Sequence, residues 1–250
     1  MAAVLGRAEL EQIYRDESAN RDAQRRMEKA YLTDAYNLPE EQVVALEQVH
    51  GATYREIDRR ELGQNRNHIF FAQGDALLTA DASVLLCIRT ADCLPVFLDL
   101  RASDVDDGAP LIGLIHAGWR GLAAGVVRST VNRAIDIMSR RSNRLELVFA
   151  FGPCIEADRY EVGGEVIEHF EDYVPANRPG HFFLDLQAAA LRQLQAALQH
   201  PHVSIETRRI TTLEAGTLNG NDRYYSHRAG DTGRNLNIMM IESTASRGRS

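Results

Sequence analysis

The chain has 250 residues, 44% of them hydrophobic, which is enough to bury a core and still short enough for one domain. Its 35 acidic residues outnumber 28 basic ones for a net charge of −7, and the basic residues are dispersed except for Arg247 and Arg249, so the basic face that a nucleic-acid partner needs is missing. Three scattered cysteines, Cys87, Cys93 and Cys154, exclude a disulfide framework, and no stretch has signal-peptide character or approaches the roughly eighteen apolar residues of a membrane span; a soluble protein of the reducing cytoplasm is expected.

From Ala8 to Asn37 helix formers dominate, with Leu10, Ile13 and Tyr14, then Met27, Ala30 and Tyr31, at helical spacing. Residues 1–37 are therefore expected to be a charged helical N-terminal segment, stopped by Leu38-Pro39. Val43 to Leu46 reads as a strand running into Gln48-Val49-His50-Gly51, where a histidine before a glycine is free to face a cleft. Residues 58–68 are loop-like, and Gly74 to Thr79 resumes extended structure. Ser83–Arg89 and Leu94–Leu100 are short apolar runs on either side of the Ala91-Asp92-Cys93 corner, and Leu111–Ile115 is a third, with an acidic loop at 101–110 before it. A helix with one buried stripe is expected from Arg120 to about Arg140, and a strand from Leu145 to Phe151. After the Gly152-Pro153-Cys154-Ile155 turn come a short extended piece at Tyr160–Val162, a helix over Gly164–Tyr173, and a helix over Leu186–Gln199 with Asp185 as N-cap and His200-Pro201 as stop. Strands at Val203–Ile210 and Leu236–Ile241 follow, and residues 243–250 are read as a disordered tail. Several strand-to-strand links are too short for helical crossovers, so the fold class expected is α+β: one compact domain, residues 1–250, with mixed β-sheets flanked by helices.

The candidate chemistry gathers where these strands end. His50, Cys93 and His116 offer two imidazoles and one thiolate, a set that suits zinc and leaves a fourth position open. Their intervals match no local metal-ligand spacing, and each residue alone reads equally as a packed thiol or a hydrogen-bonded histidine; what joins them is a shared position at a strand end beside a small residue. Asp92 is a candidate acid/base or imidazole-orienting carboxylate, with a plain turn carboxylate as the alternative. Arg120 precedes a helix, where a guanidinium and free N–H groups favour phosphate, and the Tyr224-Tyr225-Ser226-His227-Arg228 cluster could line a pocket for a planar base, with Tyr225 the aromatic singled out. Cys154 and Cys87 read as structural thiols.

Six stretches then occur in a familiar order: Gln48-Val49-His50-Gly51, Asp75-Ala76-Leu77-Leu78-Thr79, Thr90-Ala91-Asp92-Cys93-Leu94-Pro95-Val96, His116-Ala117-Gly118-Trp119-Arg120-Gly121, Gly152-Pro153-Cys154-Ile155 with Tyr160-Glu161-Val162, and Tyr225-Ser226-His227-Arg228 with Thr232-Gly233-Arg234. In these the chain resembles the laccase-domain or polyphenol-oxidase family, whose members include purine nucleoside phosphorylases and the bacterial peptidoglycan editing factor. The resemblance covers about Asn20 to Ile241. It implies a single α+β domain and zinc at His50, Cys93 and His116. It also implies phosphorolysis of adenosine, inosine and methylthioadenosine to a ribose 1-phosphate and free base, with adenosine deamination as a second activity. This chain departs from the family in two places: a charged helical N-terminus stands where relatives have an extended Ser-Thr-Arg-x-Gly-Gly segment, and Thr211-Thr212 stands where many have Cys-Thr.

Three readings compete. The first is a zinc enzyme acting on purine nucleosides and phosphate, with Asp92 and Cys93 at the reacting centre, copper being the other ion the same donors accept. The second keeps Cys93 as a thiolate nucleophile beside His116 in an amide hydrolase editing a peptidoglycan precursor. The third is a metal- or partner-binding module without turnover. Copper-dependent polyphenol oxidation ranks below these, because three ligands make one mononuclear site.

Overall fold

Each apolar run in the middle of the chain is continuous because its strand is covered on both faces, so no alternation with polar residues is needed. The structure, a computed structural model, describes residues 1–15, 20–62, 72–105, 109–212, 216–219 and 222–242. In chain order these form β1 (Ala2–Leu5), α1 (Arg7–Tyr14), α2 (Arg21–Tyr36), β2 (Val43–Ala45), β3 (Tyr54–Glu56), α3 (Arg59–Leu62), β4 (Ala76–Thr79), β5 (Leu85–Thr90), β6 (Leu94–Ala102) and β7 (Leu111–Ala117). They continue with α4 (Trp119–Ala123), α5 (Val126–Met138), β8 (Arg144–Phe151), β9 (Glu161–Gly163), α6 (Gly164–Ile167), β10 (Tyr173–Pro175), β11 (His181–Leu184), α7 (Leu186–Ala197), β12 (Ser204–Thr212) and β13 (Asn235–Met239).

The fold is α+β. A six-stranded mixed sheet runs β12-β8-β6-β7-β4-β3, a four-stranded one β1-β13-β5-β2, and a small one β10-β11-β9. The period of two along a strand sorts side chains into layers. Leu94, Val96, Leu98 and Leu100 of β6 and Leu145, Leu147 and Phe149 of β8 pack against Val127, Val131, Ile135, Ala190 and Leu194 of α5 and α7. On the other face Leu77, Phe97, Ile112 and Leu114 meet Val44, Leu86, Ile88 and Met239 of the four-stranded sheet. The outer face of that sheet, through Val43, Leu85, Cys87, Leu236 and Ile238, is closed by Leu10, Ile13, Tyr14 and Leu32 of α1 and α2. The result is a helix–sheet–sheet–helix sandwich.

Several local expectations are realised in atoms. Asp185 accepts hydrogen bonds from the N–H groups of Gln187 and Ala188, both 2.9 Å, and so caps α7. Asn37 ends α2 in a left-handed conformation, φ 49°, just before Pro39.

Others are corrected. Residues 1–37 are not helical from their start: β1 pairs antiparallel with β13, Ala2 opposite Met239, and α1 begins only after Gly6, whose N–H donates to Glu9 Oε2 at 2.9 Å. A four-residue run paired with the far end of the chain carries no local signature. The helix expected from Arg120 to Arg140 is two, because Gly125 sits at φ 82°, a left-handed turn that a continuous helix cannot contain. The helix over Gly164–Tyr173 stops at Ile167; β10 and β11 follow, and β11 pairs with β10 on one side and β9 on the other. The loop expected over 58–68 opens with α3, and its remainder from 63 on lies outside the described residues, as does the proposed tail at 243–250.

Strand register is what builds the site. In the β6–β7 pair Leu94 faces Ala117 and Pro95 faces His116, so the Cys93 corner is carried to the end of β7. In the β4–β7 pair Ala76 faces Ile115, which sets Asp75, one residue ahead of β4, beside His116.

Candidate metal centre

Asp75 is fully buried, and every strong contact of its carboxylate points to one corner of the fold. Oδ1 accepts the His50 backbone N–H at 2.9 Å and meets His116 Nδ1 at 2.8 Å, and Oδ2 accepts the Gly51 N–H at 2.7 Å. Its backbone carbonyl also accepts the His116 N–H, 2.7 Å. Burial alone would push this carboxyl up, but the hydrogen bonds from His116 and from the N–H groups of Gly51 and His50 hold it below the ordinary carboxylate range. One side chain therefore fixes two turns. It holds His50 in a left-handed conformation, φ 60°, that a residue with a Cβ rarely adopts, and it engages Nδ1 of His116 so that Nε2 is left for another partner.

That partner is Cys93. The donor atoms of His50, Cys93 and His116 all lie within 4.8 Å of one another, and the two imidazoles meet edge to face, centroids 4.8 Å apart. His50 is exposed, Cys93 half-buried and His116 buried, so the cluster opens outward through His50. Among the described residues it is the one such cluster of histidine, cysteine and acidic side chains. Burial opposes ionisation of the Cys93 thiol, but the charges and hydrogen bonds of His116 and His50 outweigh it and bring the thiol down to about 6. The same pairing, with Asp75 behind, raises the His116 imidazole against the effect of its burial. Cys87 and Cys154 show the contrast: burial pushes both thiols up, Cys154 to about 12.

Two nitrogens and a thiolate sulfur with a carboxylate behind one imidazole fit a zinc- or copper-sized ion. Gly118 belongs to the fit as well. A Cβ there would stand 2.9 Å from Cys93 Sγ and 3.4 Å from the His50 ring, so only glycine lets the turn before α4 close over the sulfur.

The remaining candidates divide. Asp92 adopts φ 83° next to Cys93 and is 8% exposed. Its Oδ1 accepts the Thr217 hydroxyl at 2.6 Å, its Oδ2 the Arg228 N–H at 2.7 Å, and its carbonyl the Ile155 N–H at 3.0 Å, so the corner is tied to two distant loops. Arg120 is exposed with its guanidinium 4.4 Å from the centre of the Trp119 ring. Tyr225 is placed elsewhere. It is 6% exposed, packs edge-on against Tyr14 at 5.0 Å, and has the Arg7 guanidinium 4.6 Å from its ring centre.

Sequence reasoning left Asp75, Thr217 and Tyr160 without roles and named Arg228 only as one member of a possible pocket wall. Arg228 lies 5.4 Å from the centre of the Tyr160 ring and donates through Nη2 to the Glu161 carbonyl, 3.2 Å. The Tyr160 hydroxyl is pushed up by burial and then by the charges of Cys93 and Asp92, while Arg228 and Arg120 pull it down, which places all five within electrostatic reach. The signal for Asp75 was present in the sequence: a carboxylate directly ahead of Ala76-Leu77-Leu78 enters a buried strand and needs a partner.

A buried carboxylate, two imidazoles and a thiolate at the strand ends of a mixed-sheet α+β domain define a candidate single-metal protein. The chain belongs to the family described as multi-copper polyphenol oxidoreductase laccase, which matches residues 13–242. Within it, the chain is 31% identical over 213 residues to purine nucleoside phosphorylase YlmD of Geobacillus stearothermophilus, covering 79% of this chain and 72% of that one. It is likewise 31% identical over 209 residues to a purine nucleoside phosphorylase of Pseudomonas aeruginosa, covering 79% and 73%. The crystal structure of YlmD from Geobacillus stearothermophilus superposes with a TM-score of 0.68 at 28% identity, over 88% of this chain and 80% of that one. Among the described residues no helix is long and apolar enough to cross a membrane.

Proposed function

We propose that this chain is a cytoplasmic, zinc-dependent purine nucleoside phosphorylase acting on adenosine, inosine and methylthioadenosine. The observation that carries the reading is the convergence of His50, Cys93 and His116 above a shared, buried Asp75, in a chain related to proteins named for that activity. A zinc ion held there would supply Lewis acidity and lower the pKa of a bound water, which also accounts for adenosine deamination as a second activity.

The chain's own residues divide the remaining work. Asp75 fixes the His116 tautomer and the His50 turn, and Cys93 supplies the anionic ligand. Arg120 and Arg228, the guanidiniums within electrostatic reach of Tyr160, hold phosphate against the ribose. Tyr160, a half-buried aromatic at the same rim, offers its ring to the purine. Asp92 takes the proton-handling role from a position fixed by Thr217 and the Arg228 N–H. Tyr225, whose ring packs on Tyr14 and beside Arg7, contributes to substrate binding indirectly, by anchoring the chain that leads from it to Arg228.

Incubating the protein, with its metal content measured in parallel, with each nucleoside and phosphate, then separating products by chromatography, tests the proposal. Free base and ribose 1-phosphate are expected. A zinc-loaded sample that yields no free base, no inosine and no sugar phosphate overturns it. One observation favours a second reading, a Cys93–His116 amide hydrolase acting on a peptidoglycan precursor: the Cys93 sulfur lies within 4.8 Å of an imidazole nitrogen of His116, and that neighbourhood favours its thiolate. Activity that persists after complete metal removal and is lost stoichiometrically with iodoacetamide would select it.

A further inference from the structure

β12 is the border strand of the six-stranded sheet, parallel to β8 on one side, and among the described residues no strand pairs with its other side. Its residues are almost all exposed, including Ile210 at 45%. A free border of nine residues is a template for another strand unless something blunts it.

The register against β8 shows what this border is shaped for. Ile205 faces Leu145 and Thr207 faces Leu147, but Arg209 faces Val148 and Ile210 faces Phe149, so Arg208 is an extra, bulged residue. Its guanidinium folds back onto the strand, 2.5 Å from Glu146 and 3.3 Å from Glu206. Leu145, Leu147 and Phe149 point into the helix-side core. Ile205, Thr207 and Ile210 therefore lie on the helix side of the sheet, and Glu206 and Arg209 lie together on the opposite side with Glu146 and Val148. Without the bulge, Glu206 and Arg209 would fall on opposite faces, as would Ile205 and Ile210.

We propose that β12 is the seam of a two-fold dimer in which it pairs antiparallel with the β12 of a second copy, about an axis through Thr207. That axis sets Ile205 opposite the partner's Ile210 on one face and Glu206 opposite the partner's Arg209 on the other, each contact occurring twice, as an isologous interface requires. The strand is its own complement in charge and in apolar character, and the bulge is what makes it so. The pairing joins two six-stranded sheets into one and covers Ile210.

Sedimentation equilibrium over a concentration series on the full chain tests this, with circular dichroism confirming that each variant is folded. The wild type is expected to dimerise in the micromolar range. Glu206→Arg and Arg209→Glu, both at exposed positions, should each weaken the dimer roughly tenfold or more, because two attractive contacts become repulsive. The double variant Glu206→Arg/Arg209→Glu restores opposite charge in the same register and should recover most of the affinity. A wild type that stays monomeric at high micromolar concentration overturns the proposal. So does a dimer indifferent to either single reversal, or a double variant no tighter than the singles. None of these readouts depends on the nucleoside reading.

Discussion

Among the described residues, two of the buried carboxylates, Asp75 and Glu28, do opposite things. Asp75, between β3 and β4, gathers donors from His50, Gly51 and His116 and so hands two imidazoles to a half-buried thiol. Glu28, on α2, accepts a hydrogen bond from the Tyr14 hydroxyl and pairs with Arg89 at 2.8 Å, pinning the two N-terminal helices to β5. Both are satisfied, as buried charge must be. The difference lies in where the partners lead: Tyr14 and Arg89 end in packing, whereas His116 and His50 turn on to the Cys93 sulfur and complete a cluster of donors able to hold an ion. A buried acid marks function when its partners are themselves unfinished.

The comparison is broken most severely at the metal. Cys93→Ala should abolish tight metal binding and lower nucleoside phosphorolysis by about a thousandfold or more, checked by elemental analysis and product chromatography. Chelation of the wild type should give the same loss, reversible on adding zinc, together with a lower melting temperature. Next comes Asp75→Asn, which keeps shape but loses an acceptor. Metal affinity should fall about 10- to 100-fold by competition titration, with activity following and returning at saturating metal. Glu28→Gln sharpens the contrast from the other side. Leaving Arg89 without its anion should cost about 3 kcal/mol of stability by chemical denaturation, with kcat/KM of the folded protein within about twofold of wild type.

The thiols supply a finer test. In metal-free protein the alkylation rate of Cys93 should level off above a pH of about 6, because the thiol there is already ionised, and should fall as the pH drops through that value. An ordinary thiol would still be gaining reactivity above pH 8. Cys87 and Cys154, pushed upward by burial, should stay unlabelled at neutral pH, as peptide mapping would show. The smallest effect expected is from Gly125→Ala, about 1–2 kcal/mol for a Cβ in the left-handed turn between α4 and α5, with metal content unchanged.

How far the sequence could be read depended on how local each cause was. Apolar runs gave β5, β6, β7 and β8, and an aspartate before an amphipathic stretch gave the cap of α7, because those signals lie within a few residues of one another. The three clustered side chains, His50, Cys93 and His116, were legible as strand ends beside small residues, although nothing in their spacing said that they meet. What joins them is register between strands, and the key contact, Asp75 to His116, spans 41 residues. β1 was invisible for the same reason, since its partner is β13. Tyr225 was a different case: an aromatic beside Ser-His-Arg suggests a pocket wall, but that its ring packs on Tyr14 is decided by the N-terminal helices. Gly125 was the one break that a closer reading of the residues alone could have placed.

Gly118 has a wider consequence. With no side chain at that turn, the sulfur of Cys93 is roofed by bare backbone, so bulk cannot be added on that side without displacing a ligand. Variation in what the protein accepts is thereby steered away from that side, to groups such as Tyr160 and Arg228, which stand on connecting loops that can change size and chemistry while the layered scaffold beneath keeps its shape.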